Sequence, residues 1–415
     1  MLKPFDDTPR YRFALEVVQT LHEQGHLALF AGGSVRDHLL GKPPKDFDVA
    51  TDAVPERVRK VFRRRRTLAI GAAFGVISVV GPKGAGQVDV VTFREESDYQ
   101  DGRRPGRVCF STPQLDAQRR DFTINGLFYD PLARRVIDYV GGEADLAAGL
   151  VRAIGDPTER FAEDKLRMLR AVRFAAALEF ELDAATREAA SAMAEQVAGV
   201  SPERIAGELR RMLVDRQRAR AIELLRETGQ LAVILPELAE ASRDASGWSR
   251  RLAALAALDA PEFPLALAVL LRGTPPRAGR EAGERLRLSN QEADRIVWLL
   301  QHEQALADAS ALPWPRLQRL LLEPGIHDLL ALHEAASPAD ERSNASTARC
   351  REILARPQAD WNPPPLVGGD DLKRAGIPPG PQYRALLDQL RDAQLRGEIR
   401  TAAEALSLAA RLLGE

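Results

Sequence analysis

The sequence predicts an α+β chain: a mixed α/β head of about 140 residues, then a long all-helical remainder. Two observations carry this. β-branched runs bounded by glycine, such as GVISVVG and QVDVVTF, occur only before about Asp145. After that point the apolar residues recur at spacings of three and four, the period of a helix.

Taken in order, FALEVVQTLHEQGHLA (13–28) reads as an amphipathic helix and LALFAGG as a short buried strand ending in a turn. GVISVVG, QVDVVTF and RRVIDYVGG read as further strands. TFREESDYQDGRRPGRVCFSTPQLDAQ (92–118) is polar and glycine-marked and reads as a mobile loop. RFAEDKLRMLRAVRFAAALEF, SPERIAGELRRMLVD and RARAIELLRETGQLAVIL are helical by period. TPPRAGREAG (274–283) and ASPADERSNAST (336–347) read as loops, and the Pro- and Gly-rich stretch at 359–381 as the boundary of a helical tail.

With 415 residues there is room for two or three cores. A hydrophobic fraction of 45%, a charged fraction of 28% and a net charge of −1 describe a soluble chain without a uniformly basic coat. The two cysteines, Cys109 and Cys350, form neither a metal spacing nor a disulfide framework, which fits a reducing cytoplasm. No apolar run is long enough to span a membrane.

The chemistry concentrates in AGGSVRDHLLGKPPKDFDVATDA (31–53). In a strand rising about 3.3 Å per residue, Asp46 and Asp48 project from one face roughly 6–7 Å apart, with Phe47 turned into the core. Carboxylates so placed can share two Mg²⁺ ions about 3.5–4 Å apart, one activating an attacking hydroxyl and the other holding a triphosphate. Gly32 and Gly33 lack a Cβ and let backbone N–H groups approach phosphate, and Arg36 can pair with phosphate or orient a carboxylate.

The resemblance follows from these residues and two later segments. GGSVRDHLLG…KDFDVAT, RRDFTINGLFYDP (119–131) and YVGGEADLAAGLVRAIGDPTERFAEDKLRMLRAVRFAAALEF (139–180) together resemble the class II tRNA nucleotidyltransferase and bacterial poly(A) polymerase family. The likeness covers at least residues 27–215, and GDDLKRAGIPPGPQYRALLDQL resembles the family's tail. It implies a nucleotidyltransferase head (1–140), a neck that selects the base (141–215), a body (216–350) and a tRNA-binding tail (351–415). It implies that Asp46 and Asp48 hold the metals and that Gly32, Gly33, Ser34 and Arg36 meet the triphosphate. Arg120 and Asp121 would meet the ribose side, supported by Asn125. Asp89, on a neighbouring strand, is either a third ligand or a structural residue.

Glu163, Asp164 and Arg167 form E-D-x-x-R, read as lying within one helix with Asp164 and Arg167 on a shared face. Such a pair is ordinarily a surface ion pair. Against a base edge it accepts from the amino group and donates to the ring nitrogen of cytosine or adenine, and mismatches uracil and guanine. Leaving such groups unpaired costs about 1–3 kcal/mol each. The pair would therefore choose CTP and ATP without a nucleic-acid template. Arg170 and Arg173 continue this basic face, toward primer or as ion-pair partners. The 92–118 loop resembles the family's flexible loop, with Asp101, Arg103 and Arg104 as candidates. His327-Asp328 lacks supporting ligands and reads as surface helix, and Arg63–Arg66 as a solvated basic helix end or an RNA contact.

The expected reaction is transfer of a nucleoside monophosphate from CTP or ATP to a tRNA 3′-hydroxyl, building the CCA end, with Mg²⁺ as cofactor and tRNA as partner. Two alternatives share the site: addition of the terminal A alone, beside a CC-adding partner enzyme on the same tRNA, and poly(A) synthesis. An RNA-binding module without catalysis is a different class, disfavoured by the intact Asp46, Asp48, Asp164 and Arg167.

Overall fold

The structure is a computed structural model. It describes all residues except 1–3, 64–65, 72–74, 101–103, 337–340, 379 and 415. The chain divides into two compact units, one running to Ser242 and one from Arg243 onward.

The first unit opens with α1 (Pro9–Glu23), which starts and ends about four residues before the predicted span. The Thr8 side chain accepts the Tyr11 N–H and Pro9 occupies the first turn, so the cap fixes the start. Gly25, at φ 80°, turns the chain into β1 (Ala28–Ala31). There follow α2 (Gly33–Leu39), β2 (Asp48–Thr51), α3 (Pro55–Val61), β3 (Thr67–Gly71), β4 (Val76–Val80) and β5 (Gln87–Thr92). The predicted loop at 92–118 is instead an antiparallel hairpin, β6 (Arg94–Gln100) with β7 (Arg104–Phe110), followed by α4 (Pro113–Gln118). A polar arm satisfies its own backbone by pairing, and composition alone does not distinguish that from a loop.

β8 (Phe128–Asp130) and β9 (Arg135–Ile137) complete a seven-stranded sheet of order β3-β4-β5-β2-β1-β8-β9. Only β2 and β5 run parallel. In that pair Asp48 stands opposite Asp89. Phe47 is buried as expected, 5.2 Å ring to ring from Phe30 and 5.7 Å from Phe5.

Beyond the sheet lie α5 (Gly142–Ala148), β10 (Leu150–Val151), α6 (Pro157–Glu163), α7 (Leu166–Leu178), β11 (Glu181–Leu182), α8 (Ala184–Ala192), α9 (Pro202–Val214), α10 (Arg218–Glu227) and α11 (Gln230–Ile234). Strands therefore do not stop at Asp145: β10 and β11 form a small parallel pair. Gly229, at φ 75°, separates α10 from α11, where one helix is predicted.

The second unit is helical: α12 (Ala245–Ala257), α13 (Phe263–Leu271), α14 (Pro276–Arg285), α15 (Asn290–Gln301), α16 (Trp314–Leu321), α17 (Ile326–Ala336), α18 (Glu341–Ala355), α19 (Gln358–Trp361), α20 (Gly369–Arg374), α21 (Gln382–Leu395) and α22 (Ala402–Gly414). Two predicted loops fall here on helices, α14 and the start of α18. α14 carries a buried face of Ala278, Gly279, Ala282 and Gly283. A Cβ on Gly279 would come within 2.9 Å of Ile296, and one on Gly283 within 3.0 Å of Ala293. The glycines that suggest a loop instead admit close packing against α15. His327 and Asp328 lie on α17, with Asp328 3.7 Å from Arg295. Val367, Leu372, Leu386, Leu390, Ile399 and Ala405 share a separate small core at the C-terminal end. No helix among the described residues is long and apolar enough to cross a membrane.

Candidate active site

A cleft of about 540 Å³ opens in the first unit between the edge of the β1–β2 region and α7. Gly32, Gly33, Arg36, Asp48, Arg120, Asp121, Asn125, Asp164, Arg167 and Arg170 line it, together with Arg94, Arg119 and Phe174. Most of the predicted residues, from segments up to 138 positions apart between Gly32 and Arg170, thus meet in one place.

Asp48 opens β2 and faces the cleft. Its carboxyl is pushed up to about 6, first by burial among protein atoms and then by Asp89 and Asp46, with Arg120 opposing. Asp89 accepts a hydrogen bond from the Ser78 hydroxyl across the β4–β5 pair. Asp46 is not on the strand, which begins two residues later. It is exposed, lies 3.7 Å from Arg10, and lines a separate cavity of about 200 Å³ rather than the cleft. Asp46 thus precedes the strand expected to carry both carboxylates, yet it stays close enough to act on the Asp48 carboxyl.

The glycine turn is real, but its donors differ from expectation. Gly32 sits at φ 66°, ψ −124°, and its N–H donates to the Leu127 carbonyl at 3.0 Å, so it is not free for phosphate. A Cβ there would lie 2.9 Å from Arg120 Nη1, which makes glycine the residue that lets Arg120 in. Ser34 does not line the cleft: its hydroxyl is buried and donates to the Ala31 carbonyl at 3.2 Å.

A connected polar network organises the floor. Arg36 Nη1 donates to Asn125 Oδ1 at 2.7 Å, and Asn125 Nδ2 donates to Asp121 Oδ1 at 3.0 Å. Arg170 clamps Asp121 Oδ2 through Nε and Nη2 at 2.8 and 2.6 Å. Burial works to raise the Asp121 carboxyl, but Arg170, Asn125 and the Phe122 N–H outweigh it and hold it below the usual range. Arg170 is also 3.9 Å from the buried Glu208, which accepts from Arg173 at 2.5 Å and Arg211 at 2.7 Å. Arg173 is thereby an ion-pair partner outside the cleft lining. The guanidiniums of Arg36, Arg170 and Arg173 all lie over the Phe174 ring, 4.1 to 5.3 Å from its centre.

Arg120 is held by Asp116, with Nη2–Oδ2 at 3.0 Å, and donates to the Asn125 carbonyl at 3.1 Å. Asp116 is fully buried and also binds Arg119. Burial favours its neutral form, but Arg120 and then Arg119 pull the carboxyl below its ordinary value. Asp116 escaped sequence reasoning, although arginines three and four residues on are a legible helical signal.

The E-D-x-x-R stretch is not one helix. Asp164 ends α6 with extended backbone, φ −145° and ψ 101°, and α7 begins at Leu166. Asp164 and Arg167 both still reach the cleft. Each has other partners: Arg204 grips Asp164 with two bonds of 3.0 and 2.8 Å, and Arg167 binds Glu163 at 2.6 Å and the Arg119 carbonyl at 3.2 Å. Glu163 thus positions Arg167 and lies outside the cleft lining. Arg204 carries no local signal, since its partner Asp164 is 40 residues away; Glu208 has Arg211 three residues on, but its contact with Arg173 spans 35 residues. Asp101 and Arg103 lie outside the described residues, and Arg104 begins β7.

Carboxylates on a mixed sheet beside an arginine-rich cleft define a nucleotidyltransferase head. The family model "Poly A polymerase head domain" matches residues 28–152, and "Probable RNA and SrmB- binding site of polymerase A" matches 179–242. The CCA-adding enzyme of Levilactobacillus brevis is 33% identical over 397 residues, covering 94% of each chain. Poly(A) polymerase I of Haemophilus influenzae is 37% identical over 248 residues, 56% of this chain and 54% of its own. The crystal structure of the Bacillus stearothermophilus CCA-adding enzyme in complex with CTP superposes with a TM-score of 0.79 at 29% identity, covering 97% of each chain. The chain belongs to the family of CCA-adding tRNA nucleotidyltransferases and bacterial poly(A) polymerases. It is an enzyme of the nucleotidyltransferase class.

Proposed function

We propose that this enzyme adds or repairs the CCA end of tRNA, transferring CMP and AMP from CTP and ATP to the 3′-hydroxyl with release of pyrophosphate. The observation that carries the reading is one cleft shared by Asp48, Asp121, Asp164 and Arg167. Full-length similarity to CCA-adding enzymes supports it, whereas the likeness to poly(A) polymerase spans about half the chain.

The donor set suits a divalent cation. Asp89 and Asp46 both act on Asp48, with Arg120 as the opposing charge, and carboxylate oxygens are the ligands Mg²⁺ prefers. Among the described residues no three acidic, His or Cys side chains are gathered into a ready-made shell. The fit therefore rests on Asp48 and Asp46, with Asp89 beside them. Mg²⁺ bound there, two ions in all, would supply the charge that activates the 3′-hydroxyl and stabilises the departing pyrophosphate.

The remaining work falls to the chain's own residues. Arg36, Arg120 and the Gly32–Gly33 turn hold the triphosphate in line. Asp121, fixed by Arg170 and Asn125, accepts from the ribose. Asp164 and Arg167 read the amino donor and ring acceptor shared by cytosine and adenine. Catalysis is then chiefly positioning and electrostatics, as phosphoryl transfer requires. We assign residues 1–140 to the head, 141–215 to base selection, and 216–350 and 351–415 to a helical body and tail that hold the tRNA.

The test uses tRNA transcripts ending before CCA, after C and after CC, with labelled CTP or ATP and Mg²⁺, resolved at single nucleotides. Extension of all three to CCA, then a stop, is expected. Extension of the CC-ending transcript alone, by ATP, would show an A-adding enzyme that depends on a CC-adding partner. Long ATP ladders would show a poly(A) polymerase.

A further inference from the structure

The second unit holds a cleft of about 390 Å³, lined by residues later in the sequence than every residue of the candidate active site. Its walls carry Arg250 and Arg251 from α12, Arg272 at the end of α13, and Glu303 and Gln304 beyond α15. Among the described residues, none of the three guanidiniums has a carboxylate within ion-pair distance. Arg251 and Arg272 repel each other: burial and then Arg272 push the Arg251 guanidinium below its ordinary value. The Nε atoms of both are buried and have no hydrogen-bond partner.

A structural role accounts for part of this. Arg251 Nη1 donates to the Leu270 and Arg272 carbonyls at 2.5 and 2.6 Å, and so closes the C-terminal end of α13. That role uses one nitrogen and leaves the guanidinium charge without a carboxylate in contact. Asp244 acts on Arg250 only at longer range. Glu303 acts on Arg251, but its carboxylate already accepts the Gly273 N–H at 3.0 Å. The excess positive field extends to His333, whose imidazole is pushed down to about 4 by burial and then by Arg272. Burying like charges with unpaired N–H groups is costly unless something completes them. The group that does so best is a tetrahedral oxyanion, which accepts from guanidinium forks on several sides at once. The space is more than ten times the roughly 30 Å³ of one water, so the anion can carry a ribose or a further phosphate.

We propose that this cleft is a phosphate-binding site, held by Arg251 and Arg272 and completed by Arg250 and Gln304. The phosphate comes either from the backbone of bound RNA, which rests on the function proposed above, or from free phosphate or nucleotide, which does not.

The test compares the full-length protein with Arg272→Gln, and with Arg277→Gln on the surface of α14 as control. Binding of a CC-ending tRNA transcript is followed by fluorescence anisotropy across a salt series. Thermal stability is followed during titration with inorganic phosphate against sodium chloride at matched ionic strength. An RNA phosphate predicts tRNA affinity about three- to tenfold weaker in Arg272→Gln, with a log–log salt slope shallower by about one. A free phosphate predicts that inorganic phosphate raises the melting temperature of the native protein but not of Arg272→Gln, with tRNA affinity unchanged. Equal tRNA affinity, equal slope and equal response to phosphate in both proteins would overturn the site. If Arg272→Gln is itself unstable, the exposed Arg250→Gln is read the same way. AMP incorporation measured in parallel keeps the two proposals apart: its absence in the native protein would sink the proposed function and leave the phosphate site standing.

Discussion

Replacing Asp48 by Asn is expected to stabilise the metal-free protein while abolishing transfer. The carboxyl moves from 3.8 in the unfolded chain to about 6 in the fold. At about 1.4 kcal/mol per pH unit, the ionised native group carries a penalty of about 3 kcal/mol. Because the side chain opens to solvent across the cleft, screening reduces this to about 1 kcal/mol. The sign follows from proton binding. Between about pH 4 and 6 the native state holds more protons than the unfolded state, so stability falls as pH rises, and above about 6 the penalty is constant. Asp48→Asn has no such penalty. Its advantage in EDTA should be absent below about pH 4, grow to about pH 6 and then hold, reaching roughly 2–4 °C in melting temperature. Added Mg²⁺ should stabilise the native protein and not the variant. Calorimetry across this pH range with and without Mg²⁺ makes the measurement. A variant less stable than native in EDTA near pH 7, or an advantage independent of pH, would refute the electrostatic account of this site.

Other expectations rest on single contacts. Gly32→Ala, at φ 66° and 2.9 Å from Arg120, should cost about 1–3 kcal/mol and raise the KM for nucleotide, seen by thermal melts and steady-state kinetics. Glu208→Gln removes the charge that Arg173 and Arg211 share and should destabilise by about 3–5 kcal/mol in denaturant titration, with Arg170 and Asp121 loosened as a consequence. Arg204→Met frees the Asp164 carboxylate from its two bonds; discrimination of CTP over UTP should narrow by roughly tenfold, and unchanged discrimination would show that Arg204 does not orient Asp164.

What was readable in the sequence was local. The strands at 76–80 and 87–92 followed from β-branched runs between glycines, and the order of family-like segments pointed to residues that do meet at one cleft. What was not readable was set at a distance. β2 starts at Asp48 and leaves Asp46 before it, and no local pattern marks that boundary. The break at Asp164 lies in a stretch whose period is helical throughout, yet Asp164 is extended there and bound to Arg204 from α9. The hairpin at 94–110 has the composition of a loop, and α14 has the glycine content of one. In each case tertiary pairing or close packing decided between two conformations that composition leaves equal.

The parallel pairing of β2 with β5 has a genetic consequence. Asp89 stands opposite Asp48 because Val88 and Val90, on the other face of β5, are buried and lock the strand in place. A slip of one residue would turn every side chain of β5 to the wrong face and present a valine where Asp89 now stands opposite Asp48. If Asp89 helps to hold the metal, as proposed, alleles that alter these valines are expected to lower activity although the valines touch neither nucleotide nor metal. In a screen for inactive variants they would score as active-site lesions.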